Sequence, residues 1–222
     1  MTKSKCVLIL LLLGSLGVSV SAQTGSVQSL AEAVDRHYNA LQSLQAKFVE
    51  TYRGSGIQRE ESGTLWLKKP GKMRWDYTSP RQKLFVSDGK TAWFYVPGEA
   101  RVQRAPVKKM DDLRSPLRYL LGKTKLQKEL AGLSLAPDIT PTTPGDVVLR
   151  GVPRHSRDQI SQVLLEITPA HQISSLRLDQ TDGSTTEFRF TEQKENVAVA
   201  DSSFQFSPPA GAEVIDAEDL GN

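Results

Sequence analysis

The chain has 222 residues, with 28 basic and 25 acidic side chains, a formal charge of +3 and one Cys. A hydrophobic content of 38% and a charged content of 24% describe one globular domain rather than a disordered chain. One Cys excludes a disulfide scaffold and a Cys-based zinc site, and so small a charge does not point to nucleic acid.

The first element reads as a secretory signal. Lys3 and Lys5 form a basic n-region, Cys6 to Leu13 an apolar h-region, and Val20-Ser21-Ala22 a small-residue site cut before Gln23. The apolar run is shorter than the ~20 residues of a membrane span. Cys6 stands at the start of the h-region, whereas a lipid-anchored protein carries its Cys just after the cut. The reading is therefore a signal over 1–22 and a single soluble, cysteine-free and nearly neutral domain over 23–222.

Residues 26–44 are predicted to form an amphipathic helix capped by Ser26, because Val27, Leu30, Ala31, Val34, Tyr38, Leu41 and Leu44 recur at steps of three and four. From Ala46 the period falls to two, and Ala46, Phe48, Glu50 and Tyr52 share a strand face. Strands are then predicted over 64–69, 72–77, 82–87, 91–96 and 101–105. Asp88-Gly89 gives a strong hairpin signal. A helix broken near Ser115-Pro116 carries Met110, Leu113, Leu117, Leu120 and Leu121. Leu126, Leu130 and Leu133 suggest a second helical piece, followed by a Pro/Thr-rich loop over 137–145. Strands resume over 147–152, 160–168, 173–181 and 185–192, and a last one is predicted over 203–207. Mostly hairpin connections between about eleven strands imply a large antiparallel sheet, curled or closed, partly covered by helices.

Few residues suggest catalysis. Gly122-Lys123-Thr124 looks like the end of a phosphate loop, but Leu117 stands where the motif needs Gly. His37, His155 and His171 are isolated, with no second ligand at metal spacing. The acid pairs Asp111-Asp112 and Glu60-Glu61 suit solvated or helix-start positions better than acid–base work. The basic cluster of Arg101, Arg104, Lys108 and Lys109 reads either as a solvated edge or as a dock for an acidic partner. No enzyme, cofactor or metal is expected. The aromatic pattern says more: Trp66, Trp75 and Trp93 fall on consecutive strands, with Phe85 and Tyr95 nearby. One reading is an ordinary core. The other is an apolar hollow, because a curled sheet with few helices leaves a concave surface to be occupied. In an exported, non-catalytic protein such a hollow suggests a carrier of lipid or acyl chains.

The stretches Gly63-Thr64-Leu65-Trp66-Leu67-Lys68-Lys69-Pro70, Met73-Arg74-Trp75 and Ser87-Asp88-Gly89-Lys90-Thr91-Ala92-Trp93-Phe94-Tyr95 resemble the periplasmic outer-membrane lipoprotein carrier family, LolA. Ser115-Pro116-Leu117, Thr181-Asp182-Gly183 and the run from Phe204 to Gly211 extend the match. The resemblance implies an unclosed antiparallel half-barrel of about eleven strands, lidded by helices, acting as a monomeric chaperone without cofactors. It implies acylated lipoproteins as cargo, an inner-membrane ABC transporter, LolCDE, as donor, and an outer-membrane receptor, LolB, where the organism has one. The cavity lining is expected from Phe48, Tyr52, Leu65, Leu67, Met73, Trp75 and Phe85, and the lid from Tyr38, Leu117, Leu120 and Leu121. The family's Arg that hydrogen-bonds lid carbonyls and holds the empty cavity shut falls on Lys69, the main departure. A Lys lacks the planar fork of donors, so a looser latch is expected. A same-fold carrier of another lipid or amphiphile, such as a glycolipid, remains an alternative, since an apolar hollow holds no cargo code. The anchored receptor would need a Cys near the mature start, and a two-domain envelope-stress sensor would need a longer chain.

Overall fold

The computed structural model describes residues 20–107, 120 and 125–216. Helix α1 (Val20–Ala40) is followed by strands β1 (Ser43–Gly54), β2 (Ile57–Lys68), β3 (Lys72–Ser79), β4 (Lys83–Ser87), β5 (Thr91–Tyr95) and β6 (Arg101–Pro106). A single turn, α2 (Leu126–Glu129), leads into β7 (Leu130–Leu135), β8 (Val147–Pro153), β9 (Ile160–Ile167), β10 (Ile173–Gln180) and β11 (Thr185–Glu195). A 3-10 turn at Asp201–Phe204 precedes β12 (Glu213–Asp216).

Among the described residues all twelve strands form one sheet, in the order β12-β6-β5-β4-β3-β2-β1-β11-β10-β9-β8-β7. Every pairing is antiparallel except β12 against β6. Strands β12 and β7 are its two ends, so the sheet is unclosed.

The expected half-barrel is therefore present, with differences in its elements: α1 starts at Val20, so Ser26 does not cap it, and β2 starts at Ile57 rather than at 64. Residues 130–135, expected to be helical, form β7; only Leu126–Glu129 makes a helical turn. Leu126 and Leu130 are both buried, so the one-turn spacing is real, but Gly132 at φ 62° turns the chain within the strand that follows. The strand expected over 203–207 is the 3-10 turn and an extended run, and β12 was not anticipated. The first helix ends at Ala40, and Leu44 belongs to β1.

Alternation gives the sheet two unlike faces. One carries a single apolar cluster formed by Val27, Ala31, Val34 and Tyr38 of α1 with residues of β1–β3 and β7–β11. We call this the inner face; α1 lies on it and reaches β7 and α2. The outer face of β2–β5 is crossed by the segment after β11. Asp201 holds Lys68 at 2.7 Å and Lys72 at 2.8 Å, and Arg74 donates to the Ser203 carbonyl at 3.1 Å. Phe204 is buried, and Phe206 packs 5.6 Å from Trp93 and 5.7 Å from Tyr95. Trp93 and Tyr95 thus belong outside; of the three Trp, Trp75 faces the inner cluster. Arg101 and Arg104 pair with Glu213 and Asp216 at 3.2 and 2.8 Å, so the described half of the basic cluster is a neutralised edge.

Candidate functional site

The candidate site is the inner face beneath α1. Registers Leu65↔Trp75 and Trp75↔Phe85 align β2, β3 and β4, while Phe48↔Phe190 aligns β1 with β11. Residues directly opposite on one face are in side-chain contact. The rings follow: Phe48 meets Trp75 edge-on at 4.7 Å and Tyr77 at 4.9 Å, and Phe188 meets Trp75 at 5.7 Å. Phe188 stacks on Phe190 at 6.4 Å.

The expected lining residues Phe48, Leu65, Leu67, Met73 and Trp75 are all buried in this cluster, and Phe85 is half-buried against it. Tyr52 shares the face by alternation but lies beyond the apolar zone. It is partly exposed, with the Arg59 guanidinium 5.6 Å from its ring centre. Of the expected lid residues, Tyr38 is 2% exposed and Leu120 4%, both inside the cluster. Leu117 and Leu121 lie outside the described residues. The far half of the lining was not foreseen: Leu149, Leu165, Leu176, Phe188 and Phe190 complete it. Its signal was the alternation Leu176/Leu178 and Phe188/Phe190, overshadowed by the Trp-rich strands.

The C-terminal half of α1 is held by polar contacts on several sides. Lys69 Nζ donates to the carbonyls of Tyr38 at 2.9 Å and Asn39 at 2.8 Å. These belong to the last helical turn, whose carbonyls lack intrahelical donors and favour a cation. The Ile173 N–H donates to Tyr38 Oη at 2.8 Å, and burial pushes that phenol far above its ordinary pKa. His37 Nε2 lies 2.9 Å from Glu195 Oε1. The Leu126 N–H donates to the Asp35 carboxylate at 3.1 Å, and burial raises that carboxyl. A shallow cleft opens beside Lys69, lined by Leu41, Leu44, Leu67 and Leu120 among others. Its enclosed space is only about 10 Å³, far below the roughly 300–1,000 Å³ of a drug-sized pocket. Among the described residues, the side chains of this face pack on one another and on α1.

The apolar zone ends in a polar row. Tyr77 Oη donates to Glu50 at 2.9 Å, and Lys83 Nζ binds Glu61 at 2.6 Å while lying 4.6 Å from the Tyr77 ring centre. Burial pushes the Glu50 carboxyl up, against the pull of its Tyr77 hydrogen bond, and pushes the Tyr77 phenol up as well. Among the described residues no group of three His, Cys, Asp or Glu is placed to hold a metal ion. What the face offers is hydrocarbon surface bounded by hydrogen-bonding groups.

The family model described as outer membrane lipoprotein carrier protein LolA matches residues 39–207. An outer-membrane lipoprotein carrier protein of Alkalilimnicola ehrlichii is 31% identical over 218 residues, covering 97% of both chains. One from Chromobacterium violaceum is 28% identical over 200 residues, covering 90% of this chain and 91% of that one. Among solved structures, the LolA superfamily protein NE2245 from Nitrosomonas europaea aligns at TM-score 0.44 and 11% identity, over 81% of this chain and 97% of the other.

Proposed function

Because this chain belongs to the LolA family of outer membrane lipoprotein carrier proteins, we propose that it is a soluble periplasmic carrier. It takes acylated lipoproteins from the inner membrane and delivers them to the outer membrane. The observation that carries this reading is one unbroken apolar cluster across the inner face of an unclosed sheet, roofed by a helix with polar tethers.

Hydrocarbon exposure defines the task. Each buried methylene is worth about 0.8 kcal/mol. Three acyl chains of roughly fifteen methylenes would cost on the order of 35 kcal/mol to expose fully. Free diffusion between membranes is therefore negligible, and a carrier must offer apolar surface. Here Val27, Ala31, Val34 and Tyr38 of α1 pack on that surface, so loading has to lift α1 and exchange those contacts for acyl contacts. The exchange keeps net affinity modest, as unloading to a tighter acceptor requires. ATP hydrolysis by a LolCDE-type transporter would supply the work of loading. A LolB-type receptor, where the organism has one, would be the acceptor.

In this scheme Phe48, Leu65, Leu67, Met73, Trp75 and Phe85 line the binding surface. Tyr38 and Leu120, with Leu117 and Leu121, belong to the roof, and Lys69 is its latch. No catalytic step and no cofactor are assigned. Residues 1–22 act as the export signal, cleaved after Ala22.

The test is release of lipoproteins from spheroplasts supplied with the cognate transporter. The purified protein is expected to bring lipoproteins into the soluble fraction one to one. Failure to do so, with the transporter active on another carrier, overturns the proposal. Mass spectrometry of the complex separates lipoproteins from another amphiphile.

A further inference from the structure

Trp75 sits at the centre of the inner face, 3% exposed, yet its indole Nε1–H is buried and meets no acceptor among the described residues. Buried donors are almost always paired, so an orphan calls for a reason. A Phe would fill the same space without an unmet donor. Water is a poor partner here, because a buried water needs two to four polar contacts. The rings packed on Trp75 include Phe48 and Phe188.

The position narrows what the donor is for. Tyr77, the next inward residue on β3, stacks on Trp75 at 6.4 Å and begins the polar row. In that row the Tyr77 hydroxyl is taken by Glu50 and the Lys83 ammonium by Glu61. Trp75 thus lies one inward step along β3 from where hydrocarbon gives way to polar groups. The carboxyls of Glu50 and Glu61 in that row disfavour an anion. A neutral, compact acceptor joined directly to hydrocarbon fits this place, and the carbonyl at the head of an acyl chain is such a group.

We propose that Trp75 is a carbonyl-recognition residue: its Nε1–H receives an ester or amide carbonyl at the acyl–headgroup junction of the cargo, setting how deep the chains sit. This rests on the carrier reading above, and it adds a polar specificity point to an otherwise unselective apolar face. Filling the orphan makes the hydrogen bond worth more in the complex than in the free protein.

The test replaces Trp75 by benzothienylalanine, which keeps the ring shape and substitutes sulfur for the N–H; Trp75→Phe is the second variant. Four synthetic lipopeptides serve as probes: diester with N-acyl chain, diether with N-acyl chain, diester without it, and a carbonyl-free diether with N-alkyl chain. The wild type is expected to bind the first roughly three- to tenfold tighter than the benzothienyl variant does, and the carbonyl-free probe equally. Persistence of the difference with the diester alone assigns an ester carbonyl; persistence with the N-acyl diether assigns the amide. Both support the proposal. Equal binding of all probes by wild type and variants, or an equal loss on every probe, overturns it. If the wild type binds no probe, the carrier reading itself fails.

Discussion

Replacing Lys69 by Met removes an ammonium and keeps its apolar stem. The ammonium donates to two carbonyls of the last turn of α1, at 2.9 and 2.8 Å. A hydrogen bond from a charged donor contributes about 1.5–3 kcal/mol net. Both bonds share one half-buried group, and the Asn39 end is exposed. The pair together is therefore assigned about 1.5–3 kcal/mol, which is roughly 10- to 150-fold in a local opening equilibrium. Global stability should fall less, because Tyr38 keeps its burial and its bond from Ile173. Amide hydrogen exchange distinguishes the two effects. Amides in the last two turns of α1 should exchange roughly 10- to 150-fold faster in Lys69→Met, while those of β10 change little. Lys69→Arg should restore protection, since a guanidinium fork spans two carbonyls. If exchange in α1 stays within about twofold of wild type in Lys69→Met, the ammonium is no latch.

Three further outcomes are expected. The Glu50 carboxyl is raised by burial, so the unfolded chain ionises first as pH climbs past the ordinary value of 4.5. Stability should fall from there through the higher folded value and then level off, and Glu50→Gln should abolish that dependence in urea titrations at stepped pH. Asp201, held down to about 2 by hydrogen bonds from Lys68 and Lys72, ties the C-terminal segment to the outer face. That tether is in place above the ordinary 3.8 and is lost as pH falls toward 2; Asp201→Asn should raise proteolysis around 196–206 and leave α1 exchange unchanged. A Cβ at Gly63 would lie 1.9 Å from the Asp76 carbonyl oxygen. Gly63→Ala should therefore part β2 from β3 and cost about 1–3 kcal/mol or more, read from the urea midpoint.

Local patterns explain which parts of the fold could be read from sequence. The buried face of α1 was legible because Val27, Ala31, Val34 and Tyr38 keep helical spacing and are all buried. Strands β3 to β6 were legible because turns punctuate them, whereas only the apolar second half of β2 was, its first half being the polar run from Gln58 to Ser62. Strand β7 was hidden because Leu126 and Leu130 are one helical turn apart, and a helical turn does exist there before the chain extends. Nothing local announces β12, since it pairs in parallel with β6 across 112 positions, Glu213 to Arg101. Phe204 and Phe206 alternate like a strand but anchor a segment against the outer face instead. Within the site, Lys69 donates to two carbonyls at the end of α1. The vacant valence of the Trp75 indole was invisible, because whether a donor finds an acceptor depends on residues far along the chain.

The two loose ends of the sheet have a mechanical consequence. In a closed barrel, strand number and shear together fix the radius. Here β7 and β12 are not bonded to each other, so no hydrogen-bonded hoop sets the girth. Small changes in twist between neighbouring strands, summed along twelve of them, can widen or narrow the trough with every ladder intact. The container can thus be tailored to its contents, and the penalty for that elasticity is two edge strands. One is short and bristles with alternating charge, Glu213 and Asp216 against Arg101 and Arg104, which discourages a neighbouring molecule from zipping onto it.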